Sequence, residues 1–256
     1  MTDRIPGSIG ILTQPILDAG TTCRIECPLP GPLCGDRTAP QRDEVAEIAA
    51  YMADEINRNA HGQTVRHMAE MNAFSASDCI ADYTRLPLWR QLLGLGLTPQ
   101  QCTDMEMNYH LAALTVWAGQ VRQDGPWDHK PIIAARFNPR RPGGRQYWHA
   151  HQATEYYYDV WSNLHYGYVG AAAGFSDAAL LDGAGAEQVV SSVLRGRAPQ
   201  RTPGVSGLRA WDDRSDREAI DMGIRLRRRR PDRVTAYTLV RMVVGSASVD
   251  RRPVQP

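Results

Sequence analysis

Apolar residues recur at helical spacing between residues 43 and 60. Val45, Ile48, Ala49, Met52 and Ile56 fall on one stripe, and Glu44, Glu47 and Asp54 lie on the far side. The pattern predicts a helix over 43–60, with Glu55 at the edge of its buried face. A second helix is predicted over 63–74. Residues 86–93 (L-P-L-W-R-Q-L-L) read as a short apolar helix that Gly94 and Gly96 stop. A long helix then opens at Thr98-Pro99-Gln100-Gln101, with Thr98 as N-cap, Pro99 at the first helical position and Gln101 completing a capping box. Leu111, Leu114, Trp117, Ala118 and Val121 continue its apolar face until Asp124-Gly125-Pro126. Residues 125–131 (G-P-W-D-H-K-P) read as extended or turned, because each proline pushes its predecessor out of the α region. Residues 137–151 read as an arginine-rich loop or hairpin.

Further on, Ser176 is placed to cap a helix. Trp211-Asp212-Asp213 precedes another, which runs through Ile220 and Ile224, ends in arginines that suit the negative dipole end, and stops at Pro231. Residues 234–244 are apolar and β-branched, and read as a final helix capped by Asp232 rather than an edge strand. Residues 1–42 show little periodicity and many turn formers, which predicts an irregular arm. The expected fold is therefore mostly α: a compact single domain of packed helices over 42–248, an irregular arm over 1–41, one arginine-rich loop or hairpin, and a tail over 249–256.

The chain is organised around residues 155–188. Here Asp159, Asn163 and His165 lie among Tyr156, Tyr157, Tyr158, Trp161, Tyr166 and Tyr168. In a helix, Asp159 and Asn163 share a face. Gly167, Gly170 and the alanines 171–173 present almost no side-chain bulk, so a second backbone can approach or a substrate surface can form.

Composition narrows the function classes. A net charge of +1 excludes a general polyanion binder, although arginines cluster locally. Five cysteines form no paired CxxC framework, so mostly free thiols are expected. No run is long and apolar enough for a membrane span, and residues 1–7 lack the charged and apolar regions of an export signal.

Four constellations carry candidate chemistry. The loop Trp127-Asp128-His129-Lys130, with Asp159, Asn163 and His165, offers an acid, a base and a cation for phosphodiester cleavage. The blander alternative makes Asp128 a turn cap, Lys130 a solvated cation and His165 a satisfied core histidine. Glu55 with Asp128 or Asp159 would make a carboxylate pair of the glycoside-hydrolase kind. His149, His151 and Glu155 are a weak metal motif, better read as a surface loop because such sites need three or four protein ligands. Arg140, Arg141, Arg145 and the arginines of 225–233 suit phosphate contacts or solvated helix ends.

The segments G-P-W-D-H-K (125–130), D-V-W-S-N-L-H-Y-G-Y-V-G-A-A-A-G-F-S (159–176) and L-L-D-G-A-G-A-E-Q (180–188) resemble the bacterial polymorphic toxin type 44 domain. Residues 51–59 resemble that family's leading helix and residues 212–226 its closing helix. The resemblance implies an antibacterial effector domain, commonly predicted to be a ribonuclease, with a cognate immunity protein and a secretion apparatus or carrier as partners. The matching motif positions are Glu55, Trp127, Asp128, Lys130, Asp159, Asn163, His165, Tyr166 and Gly167. Residues 138–151 depart from the family pattern.

The expectation carried forward is an effector that hydrolyses RNA without metal or other cofactor. In it His165 is the acid or base, Asp128 partners it, Lys130 holds the phosphate with Arg145, and Glu55 and Asp159 are further catalytic candidates. Trp127, His129, Asn163, Tyr166 and Gly167 are expected to contact substrate, with aromatic rings stacking bases. Its place of action would be a target cell's cytoplasm. Two alternatives remain open: a muramidase-like peptidoglycan hydrolase acting in the periplasm with Glu55 as general acid, and a non-enzymatic module that binds a partner protein.

Overall fold

The computed structural model describes residues 43–137, 147–183 and 213–254, all within one compact unit that spans 42–256. The arm expected over 1–41, the arginine cluster around Arg140, Arg141 and Arg145, and the loop read at 195–208 lie outside the described residues. The fold is mostly α, with one small sheet.

Helix α1 (Glu44–Ala60) starts where Asp43 accepts the Ala46 N–H at 3.0 Å. Its stripe Ile48, Met52 and Ile56 is fully buried. Each such side chain contributes about 1.5–3 kcal/mol of burial. Helix α2 (Gln63–Asn72) follows after one turn. Helix α3 (Ala76–Arg85), capped by Ser75, was not foreseen, although Ala76, Cys79, Ile80 and Tyr83 recur at helical spacing. Helix α4 (Leu88–Leu92) is short, and α5 (Pro99–Val121) carries the full capping box of Thr98 and Gln101.

Lys130 and Pro131, read as extended or turned, and Phe137, read as the start of a loop, belong to a helix with the residues between them. They form helix α6 (Lys130–Phe137), closed at its start by the Ile133 N–H bonding to the His129 carbonyl at 2.9 Å. Pro131 is tolerated in the first turn because an N–H there has no intrahelical partner to lose.

Strands β1 (Trp148–His151) and β2 (Thr154–Tyr157) form an antiparallel hairpin. The segment read as a tail, 249–256, instead supplies β3 (Arg251–Pro253), antiparallel to β2. What holds it is the buried Glu155 carboxylate, which accepts from Arg252 Nε at 2.7 Å, while the guanidinium lies 4.2 Å over the Trp148 ring. This hairpin is also why the His149, His151 and Glu155 motif is neither a metal cluster nor a surface loop. His149 and Glu155 are fully buried, and His151 Nδ1 lies 2.9 Å from Asp43 Oδ2.

Helix α7 (Asp159–Ala172) is the centre of the unit, with Trp161, Leu164, Tyr168 and Val169 fully buried. Ser176 caps the next helix, α8, described over 177–183, by accepting the Ala179 N–H at 3.2 Å. Helix α9 (Arg214–Arg229) begins at the Asp213 cap and packs along α7. Helix α10 (Ala236–Gly245) is capped by Thr235, not by Asp232. Helix α1 packs on both α7 and α10. Asn57 on α1 fixes the approach to α10 with two 2.8 Å bonds, one to the Val234 carbonyl and one from its N–H.

The glycines of the central stretch serve helix packing. A methyl group placed on Gly167 would sit 2.0 Å from the Ile220 carbonyl oxygen, and one on Gly223 would sit 2.2 Å from the Leu164 carbonyl oxygen. Each helix therefore offers a glycine to the other's backbone, and neither could carry a Cβ there.

Cysteines 79 and 102 are joined in a disulfide across α3 and α5, with Cα atoms 5.8 Å apart. The expected free thiols are corrected for these two, since a separation of 23 residues says nothing until α3 and α5 are seen side by side. Among the described residues no helix is long and apolar enough to cross a membrane.

Candidate active site

The C-terminal half of α5, the turn before α6, the start of α7 and the start of α8 surround a cleft of about 690 Å³. Its walls carry Trp117, Trp127, Tyr147, Tyr158 and Tyr166, and its polar lining includes Asp128, Lys130, Asn163 and His165. The loop at 127–130 and the α7 face, 30 or more residues apart in sequence, thus meet.

Asp128 is fixed by its own turn. Its Oδ2 accepts the Asp124 N–H at 3.0 Å, and its Oδ1 accepts the Lys130 N–H at 3.2 Å. Asp124 has φ 57°, the left-handed geometry that doubles the chain back after α5. Asn163 donates to Asp216 Oδ1 at 2.6 Å, so an α9 carboxylate stands against the α7 face.

Asp159 occupies the first turn of α7 beside this group. Burial, and then the nearby Asp216 carboxylate, push its carboxyl up to about 7, with Lys130 pulling the other way and Asp250 and Asp213 adding to the rise. Its Oδ1 has no hydrogen-bond partner among the described residues. Tyr158 lies within electrostatic reach of both Asp159 and Asp128. Burial first, and then Tyr157 and these carboxylates, push its hydroxyl up to about 12, so it remains a donor.

The histidines form a separate layer. His165 is 1% exposed and His129 likewise, their rings edge-on at 4.3 Å. Asn59 Nδ2 donates to His165 Nε2 at 2.9 Å, which leaves the proton of the neutral ring on Nδ1. Burial, followed by His129 and Arg58, holds His165 well below the usual histidine range. Burial also lowers His129, against the opposing pull of Glu55 and Asp128. Tyr51 Oη lies 3.0 Å from His129 Nδ1. His165 reaches the cleft wall, whereas His129 sits behind it.

Of the residues singled out from sequence, the cleft gathers Trp127, Asp128, Lys130, Asn163, His165 and Tyr166; Asp159 is not on the wall, although its chain neighbour Tyr158 is and Lys130 lies within its electrostatic reach. Glu55 is not on the wall. It sits on α1 paired with Arg58. Gly167 faces α9, where the closeness of Ile220 excludes any ligand. Arg145 lies outside the described residues. Sequence reasoning missed the carboxylates Asp213, Asp216 and Asp250, which come from two separate places in the chain, the start of α9 and the segment before β3, and gather around Asp159 only on folding. Among the described residues no group of three or more His, Cys, Asp or Glu is arranged to hold a metal ion.

Compared with known proteins, residues 116–229 match the family model described as bacterial toxin 44. The matched span runs from the second half of α5 to the end of α9 and contains the whole cleft lining from Trp117 onward, while α1 with Glu55 precedes it. No curated protein and no solved structure matches the chain.

Proposed function

Taking residues 116–229 as a bacterial toxin 44 domain, we propose that the chain is a toxin effector which hydrolyses a glycan of the cell envelope at the Asp128–Asp159 cleft. The observation that carries this reading is a pair of carboxyl groups in unlike settings, Asp128 on the wall of an aromatic-lined opening and Asp159 next in the chain to the wall residue Tyr158. Asp159, with its carboxyl pushed up to about 7, keeps a proton in roughly half of the molecules at neutral pH and in more below it, and can give it to a leaving oxygen. Asp128, immobilised by two backbone N–H groups, is the second carboxylate that glycoside hydrolysis requires. Tyr158 stands near both as a fixed donor. The aromatic side chains of the wall, Trp117, Trp127, Tyr147, Tyr158, Tyr166 and Phe175, suit sugar faces. Asp159 is preferred to Glu55 as the acid because its carboxyl is pushed up to about 7 next to the wall residue Tyr158, whereas Glu55 is ion-paired with Arg58 on α1.

Two further observations favour a glycan over RNA. Among the described residues the cations of the lining, Arg122 and Lys130, are matched by the carboxylates Asp124 and Asp128, so the wall has no cationic excess to hold a polyanion. The Cys79–Cys102 disulfide belongs to an oxidising compartment such as the periplasm. Ribonuclease activity is the second reading, favoured by Lys130 and His165 on a wall of rings able to stack bases.

One assay separates them. Purified protein is given isolated sacculi and, in parallel, total RNA with EDTA, each also with Asp159→Asn and Lys130→Ala variants. Release of muropeptides by the wild type and its loss in Asp159→Asn supports the glycan reading. Intact sacculi with degraded RNA would transfer the function to the nuclease reading.

A further inference from the structure

The chain leaves the core after α2 and does not return to it until the second half of α5. The buried side chains of the core fall between residues 45 and 71 and from Ala113 onward. Between residues 72 and 112 the buried apolar residues are Ala76 and Cys102, and neither belongs to the core. Helix α3 packs mainly on α5, and no residue of α4 is buried. Helices of ten and five residues do not persist in water without packing.

The packing available to α3 is thin. The Glu106 carboxylate on α5 accepts the Ala76 N–H at 3.0 Å, and just before α3 the Phe74 ring lies 5.2 Å from that of Tyr109. A hydrogen bond and a half-exposed ring both trade against water, so their net hold is small. The Cys79–Cys102 bond does not trade against water. It joins the first turns of α3 and of α5. Helix α5 itself does not need it, because the Thr98–Gln101 box closes one end and Ala113 and Trp117 root the other in the core.

The bond is also open to reduction from one side. Cys102 is fully buried, whereas Cys79 is half-buried. A reductant thiolate attacks the Cys79 sulfur, the S–S bond breaks, and Cys102 leaves as a thiolate that takes a proton. A second reductant thiol then resolves the mixed disulfide. In sum, one protein disulfide and two reductant thiols give two cysteine thiols and one reductant disulfide.

We infer that residues 75–98 are a redox-controlled flap, held on α5 while Cys79 and Cys102 are joined and released from it by thiol reductants, with the core left folded. In an oxidising compartment the flap is closed; in a reducing one it offers proteases an open stretch that contains Arg85 and Arg90. The two cysteines are 23 residues apart, and opening a loop of that length raises the released fraction on the order of 100-fold. This inference does not depend on which bond the cleft cuts.

The test is hydrogen–deuterium exchange of the full chain, read by mass spectrometry with the bond intact and after reduction with dithiothreitol. Cys79→Ser/Cys102→Ser is run with and without dithiothreitol, which separates this bond from any effect of Cys23, Cys27 and Cys34. Reduction is expected to speed exchange of the α3 amides on the order of 100-fold and to leave α7 and α9 unchanged. The serine variant is expected to match the reduced protein and to ignore dithiothreitol. Trypsin is expected to cut after Arg85 much faster once the bond is open. Equal exchange in α3, or equal cutting at Arg85, in the oxidised and reduced protein overturns the inference. So does a rise in exchange that spreads equally to α7 and α9, which would make the bond a support of the whole domain and not of one flap.

Discussion

Replacing Gly223 by alanine tests the packing that positions the cleft. The new Cβ would lie 2.2 Å from the Leu164 carbonyl oxygen and 2.7 Å from the Tyr168 nitrogen. Both are backbone atoms of α7, so no side chain can rotate away. The helices would have to separate by roughly 1 Å to reach ordinary contact. That separation strips contacts from a close-packed core around Leu164, Tyr168 and Ile220. Overpacking of this sort costs about 1–3 kcal/mol and occasionally more; the upper end applies when both partners are rigid. Alanine returns about 1 kcal/mol through helix propensity, so the net expectation is a loss of about 2 kcal/mol. Urea unfolding followed by circular dichroism would report it as a lower midpoint at similar slope. Gly170→Ala, which meets the movable ends of Leu180 and Trp117, is expected to cost less. Gly119→Ala, on the exposed side of α5 with nothing within 4 Å, is expected to stabilise by up to about 1 kcal/mol. A Gly223→Ala protein as stable as the wild type would refute the close approach of α7 and α9.

Acid should weaken the fold through the paired histidines. His129 and His165 have folded values below the unfolded one, so the unfolded chain binds more protons as pH falls through about 6.5, and the thermal midpoint should drop from there downward. Asp159 runs the opposite way. Its folded value near 7 lies above the unfolded 3.8, so its stabilising contribution is present below that range and lost as pH rises toward 7. Asp159→Asn should therefore raise stability at pH 8 by up to roughly 4 kcal/mol, seen as a higher urea midpoint in the same variant that loses activity. Reducing the Cys79–Cys102 bond, or changing both residues to serine, should cost about 3 kcal/mol for a loop of this length, read as a lower midpoint with dithiothreitol. Peptide mapping without reductant should recover residues 79 and 102 in one linked fragment.

Much of the helical frame was legible because its signals are local. The stripe of α1, the Thr98–Gln101 box and the Asp213 cap are written within a few residues each. The bulk-free face of α7 announced a close neighbour, though not that Gly223 answers Gly167 from α9. Helix α3 was legible in principle, since Ser75 caps it and Ala76, Cys79, Ile80 and Tyr83 recur at helical spacing, but the stripe is short and made of small or polar-tipped side chains apart from Ile80. Helix α6 escaped because Lys130-Pro131 reads as a break until Pro131 is placed in a first turn. In the site, Trp127, Asp128, Lys130, Asn163 and His165 stood out as dense chemistry on two segments, and they share one cleft. The group that perturbs Asp159 did not stand out, since Asp213, Asp216 and Asp250 look like caps and turn residues one at a time. Likewise, a carboxyl's burial is a property of the packed fold, and nothing next to Asp159 in sequence encodes it.

The most direct measurement is the pH dependence of sacculus digestion by the wild type and by Asp159→Asn. Proton donation from Asp159 predicts activity that declines as pH rises past about 7 and is essentially absent in the asparagine variant while its circular dichroism is unchanged. A folded Asp159→Asn protein that digests sacculi at the wild-type rate and with the same pH profile would contradict the account.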